Sequence, residues 1–276
     1  EGVRFASHVD GSPLSLTPEQ AYDAQRRLGT DVAMALDVCP PGDAGPDEVA
    51  RATQRTTRWL DRTLAARREG GPLVFGIAQG GVIDDLRASH VAEVGSRPVD
   101  GVALGGFSVG EDPGLTAAAI ALAAPLMPAD RPRYLMGMGR PEDILGAVAS
   151  GIDLFDCVLP TRNARNGQAF TTEGRLSIKW ARFREDPSPL DPACSCPACR
   201  TFDRRYLRHL WVAGEMLCAR LLTLHNLTYY GTLMASIRSA VRDGKLADLR
   251  GAFAAARDRD LAPGPGDEEE DHVQEP

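Results

Sequence analysis

Short apolar runs alternate with amphipathic stretches along the first part of this chain. The runs occupy residues 32–36, 73–77, 99–104, 134–136 and 152–155. A stretch of helical periodicity separates each run from the next. Strands that alternate with helices are typical of βαβ units. The pattern therefore predicts an α/β fold with a parallel sheet of at least five strands.

The predicted helices carry their own start and stop signals. Thr17 and Gln20 form a capping box around Pro18, and Gly29 ends the helix that follows. Further helices are predicted over residues 46–68, 115–127 and 141–150.

Each apolar run is followed by a polar residue or a glycine. These residues are Asp37, Gln79, Gly106, Gly137 and Asp156. In a β/α barrel the carboxyl ends of the strands surround one active site. The pattern therefore favours a TIM-type (β/α)8 barrel over a doubly wound sheet. Only five of its units are visible, so we expect the remaining strands ahead of Glu1 and interpret the chain as a fragment.

Composition excludes several classes of protein. Hydrophobic residues make up 43% of the 276 residues and charged residues 25%, which is ordinary for a globular protein. No apolar run approaches the ~20 residues that span a bilayer. The first residues lack the apolar core of a secretory signal. We expect a cytoplasmic protein with no membrane partner.

The net charge of −7 is concentrated at the end of the chain. Six acids lie within residues 267–276, and residues 256–276 are predicted to be a disordered acidic tail. Without those six acids the balance is −1. Between residues 161 and 210, ten Arg and Lys face five Asp and Glu. A local basic surface for nucleic acid is compatible with this balance.

Three cysteines have metal-ligand spacing. Cys194, Cys196 and Cys199 form CxCxxC, and either His225 or His209 could supply a fourth ligand. Thiolates with one imidazole suit tetrahedral Zn²⁺, and four protein ligands make a structural site. We predict one structural zinc ion per chain. The predicted organisation is a partial barrel over residues 1–185 and a zinc-binding helical subdomain over 186–255 that completes the barrel.

The segment GIDLFDCVLPTRNARNGQAF, residues 151–170, combines an acid with a basic loop. An apolar strand ends on Asp156, and two arginines, Arg162 and Arg165, lie among amides a few residues later. This arrangement predicts a charged group that meets a phosphate-bearing substrate. An ordinary strand end with a solvated loop is the alternative.

Eight segments together resemble the bacterial tRNA-guanine transglycosylases, also called queuine tRNA-ribosyltransferases. They are SHVDGS, ALDVCPP, FGIAQGG, LGGFSVGE, YLMGMGRPEDI, the segment 151–170, PLDPACSCPACRTF and LLTLHNLTYY. The resemblance covers residues 2–253. It implies a zinc-containing barrel that exchanges guanine at the wobble position of tRNAs with a GUN anticodon for preQ1, in queuosine biosynthesis. It also implies a homodimer.

The resemblance implies a role for individual residues. Asp156 would be the nucleophile that attacks the ribose and holds the RNA covalently. The base would be bound by Asp37, Gln79, Gly106, Cys39, Gly105, Phe107 and Met136. Glu111 would help to choose between guanine and preQ1. The zinc ligands would be Cys194, Cys196, Cys199 and His225.

Two segments would hold the anticodon loop of the tRNA. The first contains Gly137, Met138, Gly139, Arg140, Pro141, Glu142 and Asp143. The second, also interpreted as a loop, contains Thr161, Arg162, Asn163, Ala164 and Arg165. Arginines in such loops suit phosphates and unstacked bases.

The base chemistry also follows from the residue types. Guanine has N1–H and N2–H₂ as donors and O6 as an acceptor. A carboxylate such as Asp37 accepts from the two donors, while the amide of Gln79 and the N–H of Gly106 serve O6 and the imidazole edge. Glycine lets the backbone approach the base closely.

One departure from the family limits these expectations. Family members carry a TDSGGYQ-like motif whose aspartate acts as general acid and base, and the 276 residues contain no such motif. An inactive truncated paralogue, or a non-catalytic RNA-binding partner subunit on the same fold, is therefore the alternative. An archaeal relative that inserts a different 7-deazaguanine is disfavoured by the short region after Tyr230.

Overall fold

The computed structural model describes residues 1–107, 109–110 and 112–257. Glu111 and the predicted tail after residue 257 lie outside the described residues. The chain divides into two compact units. The first comprises Glu1–Met138 and Gly146–Asp156, and the second comprises Gly139–Leu145 and the chain from Cys157 onward.

The first unit opens with a hairpin and continues as alternating helices and strands. The hairpin pairs β1 (Val3–Ala6) with β2 (Pro13–Leu16) in antiparallel fashion. The elements that follow are α1 (Pro18–Leu28), β3 (Val32–Met34), α2 (Pro46–Ala65), β4 (Leu73–Ala78), α3 (Asp84–Gly95), β5 (Gly101–Leu104), α4 (Pro113–Ala123), β6 (Arg133–Leu135), α5 (Pro141–Ala149) and β7 (Leu154–Phe155). The residues of α5 up to Leu145 belong to the second unit. The predicted alternation is thus confirmed.

The five strands from β3 to β7 form one parallel sheet in sequential order. Each strand pairs with the next one along the chain, and the sheet curls into a half-barrel. A doubly wound sheet would reverse its strand order at a switch point. The sequential order therefore confirms the barrel-type α/β fold that the pattern favoured.

The first helix begins where its capping box was predicted. Thr17 Oγ1 accepts from the Gln20 N–H at 3.3 Å, and Gln20 Oε1 accepts from the Thr17 N–H at 2.9 Å. Gly29 ends α1 with a φ of 74°, a left-handed conformation that costs glycine little. Both ends of α1 therefore agree with the sequence.

The hydrophobic core of the first unit lies between the sheet and its helices. It includes Leu60 of α2, Val91 and Val94 of α3, and Leu104 of β5. Where β4 and β5 pair, Phe75 lies opposite Gly101 and its ring fills the space that a side chain at Gly101 would need. Close packing of this kind places β4 and β5 in a fixed register.

Two predictions need correction near residue 156. The strand predicted over residues 152–155 is shorter in the structure and comprises only β7. Leu154 is 44% exposed, because β7 is the last strand of this sheet. The segment 161–165 is not a loop but lies in a helix, α6 (Leu159–Arg165). Pro160 suits the first turn of that helix, where its missing N–H has no helical partner in any case.

The second unit consists mainly of helices around a small hairpin. After α6 come β8 (Gln168–Thr171), β9 (Gly174–Ser177), α7 (Pro197–Thr201), α8 (Arg204–Val212), α9 (Met216–Arg242) and α10 (Leu246–Arg257). Its core includes Leu176, Ile178, Leu207 and Leu222. The domain boundaries expected at residues 185 and 255 stay predictions.

Among the described residues, no helix is both long and apolar enough to cross a membrane.

We expect Thr17→Ala to destabilise the protein by about 1 kcal/mol, because one N–H of the first turn of α1 loses its acceptor. Urea unfolding followed by circular dichroism measures this change. Ser15→Ala is the matched control, since Ser15 is an exposed hydroxyl on the preceding strand. Equal midpoints for the two variants would contradict the role of the capping box.

Candidate functional site

The strand-end residues predicted from the sequence gather at one edge of the half-barrel sheet. Because β3 to β7 are parallel, their carboxyl ends all lie at the same edge. Gln79 follows β4 directly, Gly105 and Gly106 follow β5, and Asp156 follows β7. Asp37 lies three residues after β3. This edge is the candidate active site.

Asp37 and Gln79 form a hydrogen-bonded pair at this edge. Gln79 Nε2 donates to Asp37 Oδ2 at 2.5 Å. The Gln79 side chain is fully buried, and its Oε1 has no partner in the part of the chain that the structure describes. A buried acceptor without a partner is rare and marks a place where a ligand can donate.

Burial raises the pKa of the Asp37 carboxyl, against the opposing effects of the hydrogen bonds from Gln79 and from its own backbone. The charged form of Asp37 is thus less favourable than that of a solvated aspartate. A carboxylate held in this way gains when a ligand brings N–H donors to it.

Two glycines make room for the Gln79 amide. A Cβ at Gly105 would lie 2.7 Å from Gln79 Nε2, and a Cβ at Gly106 would overlap Gln79 Oε1. Gly106 also has a φ of 75°, which disfavours other residues. The amide and the two glycines therefore occupy one tightly packed volume.

Two donors orient the carboxylate of Asp156. The hydroxyl of Tyr134 donates to Asp156 Oδ1 at 2.6 Å, and the N–H of Gly137 donates to the same oxygen at 2.8 Å. Burial raises the pKa of Tyr134, and the hydrogen bond to Asp156 raises it further. Tyr134 therefore stays protonated and remains a donor. Asp156 itself is exposed.

The other residues expected to bind the base differ in exposure. Met136 is half-buried, and Cys39 is exposed. The Phe107 ring is buried in the core, with the Arg87 guanidinium 4.2 Å above its centroid. A role in base binding stays a prediction for these three residues.

The first segment expected to contact RNA contains both buried and exposed residues. Met138 is buried in the core of the first unit. In the second unit Arg140 and Glu142 are exposed and Asp143 is half-buried, whereas Pro141 is buried. Gly139 accepts a hydrogen bond at its C=O from the Tyr230 hydroxyl at 2.7 Å.

Because residues 161–165 are helical, their exposure depends on the face of α6 on which each residue lies. Arg162 and Arg165 are exposed, and Thr161 and Asn163 are half-buried. Ala164 is fully buried in the core of the second unit. The two arginines are thus the residues of α6 that present charge to solvent.

Cys194, Cys196, Cys199 and His225 come together in the second unit as a cluster that could hold a metal ion. Their ligand atoms lie within 4.8 Å of one another. His225 Nδ1 is 3.3 Å from the Sγ of Cys199 and 3.7 Å from that of Cys196. None of Cys194, Cys196 and Cys199 is in a disulfide, and His209 is exposed on α8, outside the cluster. The structure therefore selects His225 as the fourth member.

The surroundings of the cluster fit a metal with soft ligands. His225 Nε2 lies 2.7 Å from the Phe170 C=O; a carbonyl only accepts, so Nε2 carries the proton and Nδ1 faces the thiols. Burial opposes ionisation of Cys196, but the nearby His225 ring and the hydrogen bond from the Cys199 N–H outweigh it and lower the pKa of Cys196 to about 6. Three thiols and one imidazole match the usual donors of Zn²⁺.

Asn226, the residue after His225, connects three parts of the second unit. Its Oδ1 accepts from the Phe170 N–H at 3.0 Å, and its Nδ2 donates to the C=O groups of Pro160 and Gln168 at 2.9 and 3.1 Å. Asn226 is fully buried. It ties the helix that carries His225 to β8 and to the start of α6.

Sequence reasoning missed Asn226, Tyr134 and His90, which also borders Gln79. The only available signal for Asn226 was a polar residue beside a predicted ligand on a helix that is otherwise apolar on that face. Tyr134 was counted as part of an apolar run. Its role depends on the distance between the ends of β6 and β7, which the sequence does not contain.

Taken together, the fold and the site define a barrel-type α/β protein with an acidic strand-end site and a Cys₃His cluster. The chain matches the sequence profile described as Queuine tRNA-ribosyltransferase over residues 1–259. The chain therefore belongs to the queuine tRNA-ribosyltransferase family, which the resemblance had indicated.

Curated proteins support the same assignment. The chain is 52% identical to the queuine tRNA-ribosyltransferase of Sorangium cellulosum (strain So ce56), over 94% of this chain and 66% of that protein. It is 52% identical to that of Solidesulfovibrio magneticus, over 92% and 69%, and 49% identical to that of Nitratidesulfovibrio vulgaris (strain DP4), over 92% and 68%. The chain thus spans about two thirds of the length of these relatives.

We expect Asp37→Asn to leave the folded state as stable as, or more stable than, the wild type at neutral pH. Burial raises the folded pKa of Asp37, so wild-type stability falls as pH rises from the ordinary value of 3.8 through the raised value. Asparagine removes this component while it still accepts from Gln79. Thermal melts between pH 4 and 8 test the expectation.

Asp31→Asn is the control, because Asp31 is exposed just before β3. A loss of stability in Asp37→Asn that exceeds the loss in the control would show that the carboxylate stabilises the fold.

Proposed function

We propose that the protein is a tRNA-guanine transglycosylase that exchanges guanine at the wobble position of GUN anticodons for preQ1. The observation that carries the proposal is the orientation of Asp156 by Tyr134 and Gly137 at the strand-end edge that also holds Asp37 and Gln79. Membership of the family supports the same class of reaction.

In the first step, Asp156 Oδ2 attacks the anomeric carbon of the ribose. The bond between that carbon and N9 of guanine breaks, and guanine leaves with the electron pair of that bond. Both donors bind Oδ1, which fixes the plane of the carboxylate and assigns attack to the other oxygen. N9 of preQ1 then gives up its proton to the group that serves as general base and attacks the same carbon, while the bond to Asp156 Oδ2 breaks and the carboxylate is restored. Two inversions retain the configuration.

Asp37 and Gln79 recognise the base. The Asp37 carboxylate accepts from N1–H and N2–H₂ of guanine, and the same two donors exist on preQ1. The base takes the place of the Gln79 amide on Asp37. The Nε2 of Gln79 is then available to donate to O6 of the base.

The departing guanine needs a proton, which a general acid must supply. Tyr134 is a poor candidate, because its raised pKa leaves it bound to its proton and its hydroxyl is already committed to Asp156. The proposal therefore assigns Tyr134 to orienting the nucleophile and leaves proton transfer to a group other than Tyr134.

The exposed arginines supply the contacts to RNA. Arg162 and Arg165 lie on one short helix, and Arg140 lies at the start of α5. Guanidinium groups bind phosphates and stack on unpaired bases, which suits an anticodon loop. The homodimer and the cytoplasmic location implied by the resemblance stay predictions.

Incubation of the chain with a GUN tRNA and preQ1 should release guanine and, on a denaturing gel, show a protein–RNA adduct. Asp156→Asn should give neither, because an amide does not form the ester. Tyr134→Phe should slow exchange by roughly 10- to 100-fold, since a hydrogen bond to a charged group is worth about 1.5–3 kcal/mol.

An adduct of equal yield in Asp156→Asn would refute the assignment of the nucleophile. RNA binding without guanine release by the wild-type chain would instead favour a non-catalytic RNA-binding subunit. Ser89→Ala, an exposed position on α3, is the control for general effects of substitution.

We further propose that the Cys₃His cluster binds one structural Zn²⁺. The ion would be held by the Sγ atoms of Cys194, Cys196 and Cys199 and by Nδ1 of His225, and it would crosslink α7 and the loop before it to α9. Four protein ligands leave no open position for catalysis.

Purified wild-type protein should contain about one zinc per chain by plasma mass spectrometry, and Cys196→Ala should lose most of it, because three ligands hold zinc less well. Cys39→Ala, which lies outside the cluster, should keep its zinc. Equal zinc content in the two variants, or none in the wild type, would contradict the proposal.

A further inference from the structure

The backbone N–H of Gln79 lies at a point where the sheet no longer supplies an acceptor. On β4, the C=O of Phe75 accepts from Ala35 on the β3 side, while the C=O of Ala78 accepts from Gly105 on the β5 side. Alternation along a strand directs Gln79 to the β3 side. The last pairing there is Met34 with Phe75, so β3 has already ended.

His90 of α3 supplies the missing acceptor. Its Nδ1 accepts from the Gln79 N–H at 2.8 Å, and its Nε2 lies 3.1 Å from Thr57 Oγ1. Because Nδ1 accepts, the proton resides on Nε2, which donates to Thr57. His90 is 2% exposed and Thr57 is 6% exposed, so both bonds are shielded from water.

Burial keeps His90 in the neutral form that this arrangement needs. Burial lowers the pKa of His90 to about 4, and the charges of Arg87 and Arg97 act in the same direction. At neutral pH the acceptor at Nδ1 is therefore present.

Arg87, three residues before His90 on α3, binds backbone C=O groups on either side of Gln79. Its guanidinium donates to the C=O of Ala78 at 2.9 Å and to the C=O of Gly81 at 2.8 and 3.0 Å. Gly80 permits this approach, since a Cβ there would lie 2.6 Å from the Arg87 Cα. Arg87 thus holds the C=O groups of Ala78 and Gly81. The hydrogen bond from the Gln79 N–H to His90 holds the backbone between them.

We propose that His90 is a positioning residue: it holds the backbone of Gln79 so that the amide of Gln79 reaches Asp37 and the base. The hydrogen bonds of His90 are to Gln79 and Thr57, so His90 acts on Asp37 through Gln79. The part of the inference that concerns the base rests on the proposed function, whereas the part that concerns the Gln79 backbone does not.

Two substitutions separate the acceptor from the bulk of the side chain. His90→Asn keeps an acceptor, because Asn Oδ1 stands about where Nδ1 stands. His90→Leu keeps apolar volume but leaves the buried Gln79 N–H without a partner. Ser89→Ala is the matched control, since Ser89 is exposed on the same helix and does not contact Gln79.

Two measurements are made on the full chain of each variant. Hydrogen–deuterium exchange with mass spectrometry reports the segment that contains Gln79, and calorimetry reports the affinity for guanine. In His90→Leu the segment should exchange faster and guanine should bind about tenfold more weakly, in line with a lost buried partner. His90→Asn and Ser89→Ala should stay close to the wild type in both.

The proposal is overturned if His90→Leu leaves exchange at this segment unchanged, or speeds exchange equally across the whole chain. It is also overturned if guanine affinity is unchanged while exchange at the segment rises. Should the wild type bind no guanine, the proposed function fails, and the exchange data alone then decide whether His90 holds Gln79.

Discussion

The parallel pairing of β3 to β7 is the constraint on which the candidate site depends. It brings residues that are far apart in the chain, from Asp37 to Asp156, to one edge of one sheet. The same pairing ends at that edge, so the backbone N–H groups just beyond it need acceptors that the sheet does not supply. Asp156 accepts from Gly137, and His90 accepts from Gln79. The same strand pairing therefore determines which polar side chains meet at this edge and which backbone N–H groups there need side-chain acceptors.

In the second unit, two adjacent side chains, those of His225 and Asn226, likewise supply partners to backbone groups. His225 binds the C=O of Phe170 and Asn226 binds its N–H, so that one residue of β8 is held at both backbone groups by α9. The other ring nitrogen of His225 points to the thiols. The hydrogen bond from His225 to the Phe170 C=O already fixes the orientation of the ring. A metal bound at the other ring nitrogen would therefore meet a ligand that is held in place.

The sequence predicted the alternation of the first unit well, because each strand and helix there has a local signal. Thr17, Gly29 and the periodic apolar runs are of this kind, and so is CxCxxC, which chemistry restricts to a few ligand sets. The choice between His225 and His209 had no local signal, since it depends on how α8 and α9 fold back on the cysteines. The helix at 161–165 was missed because arginines, amides and a preceding proline are compatible with both a loop and a first helical turn.

Strand-end residues such as Asp37 and Gln79 were identifiable as a set, but their mutual contacts were not. Tyr134 and His90 lie in segments whose local pattern is apolar or helical, and their function depends on the distance between neighbouring elements. Such residues are identified only by contacts between elements, such as those from the Gln79 N–H to His90 and from the Tyr134 hydroxyl to Asp156.

The packing of Gln79 against Gly105 and Gly106 has a consequence for how such a site can evolve. A methyl group on either glycine would collide with the amide of Gln79. A side chain at position 105 or 106 would therefore need a smaller side chain at position 79 in the same variant, because either substitution alone gives an overpacked site.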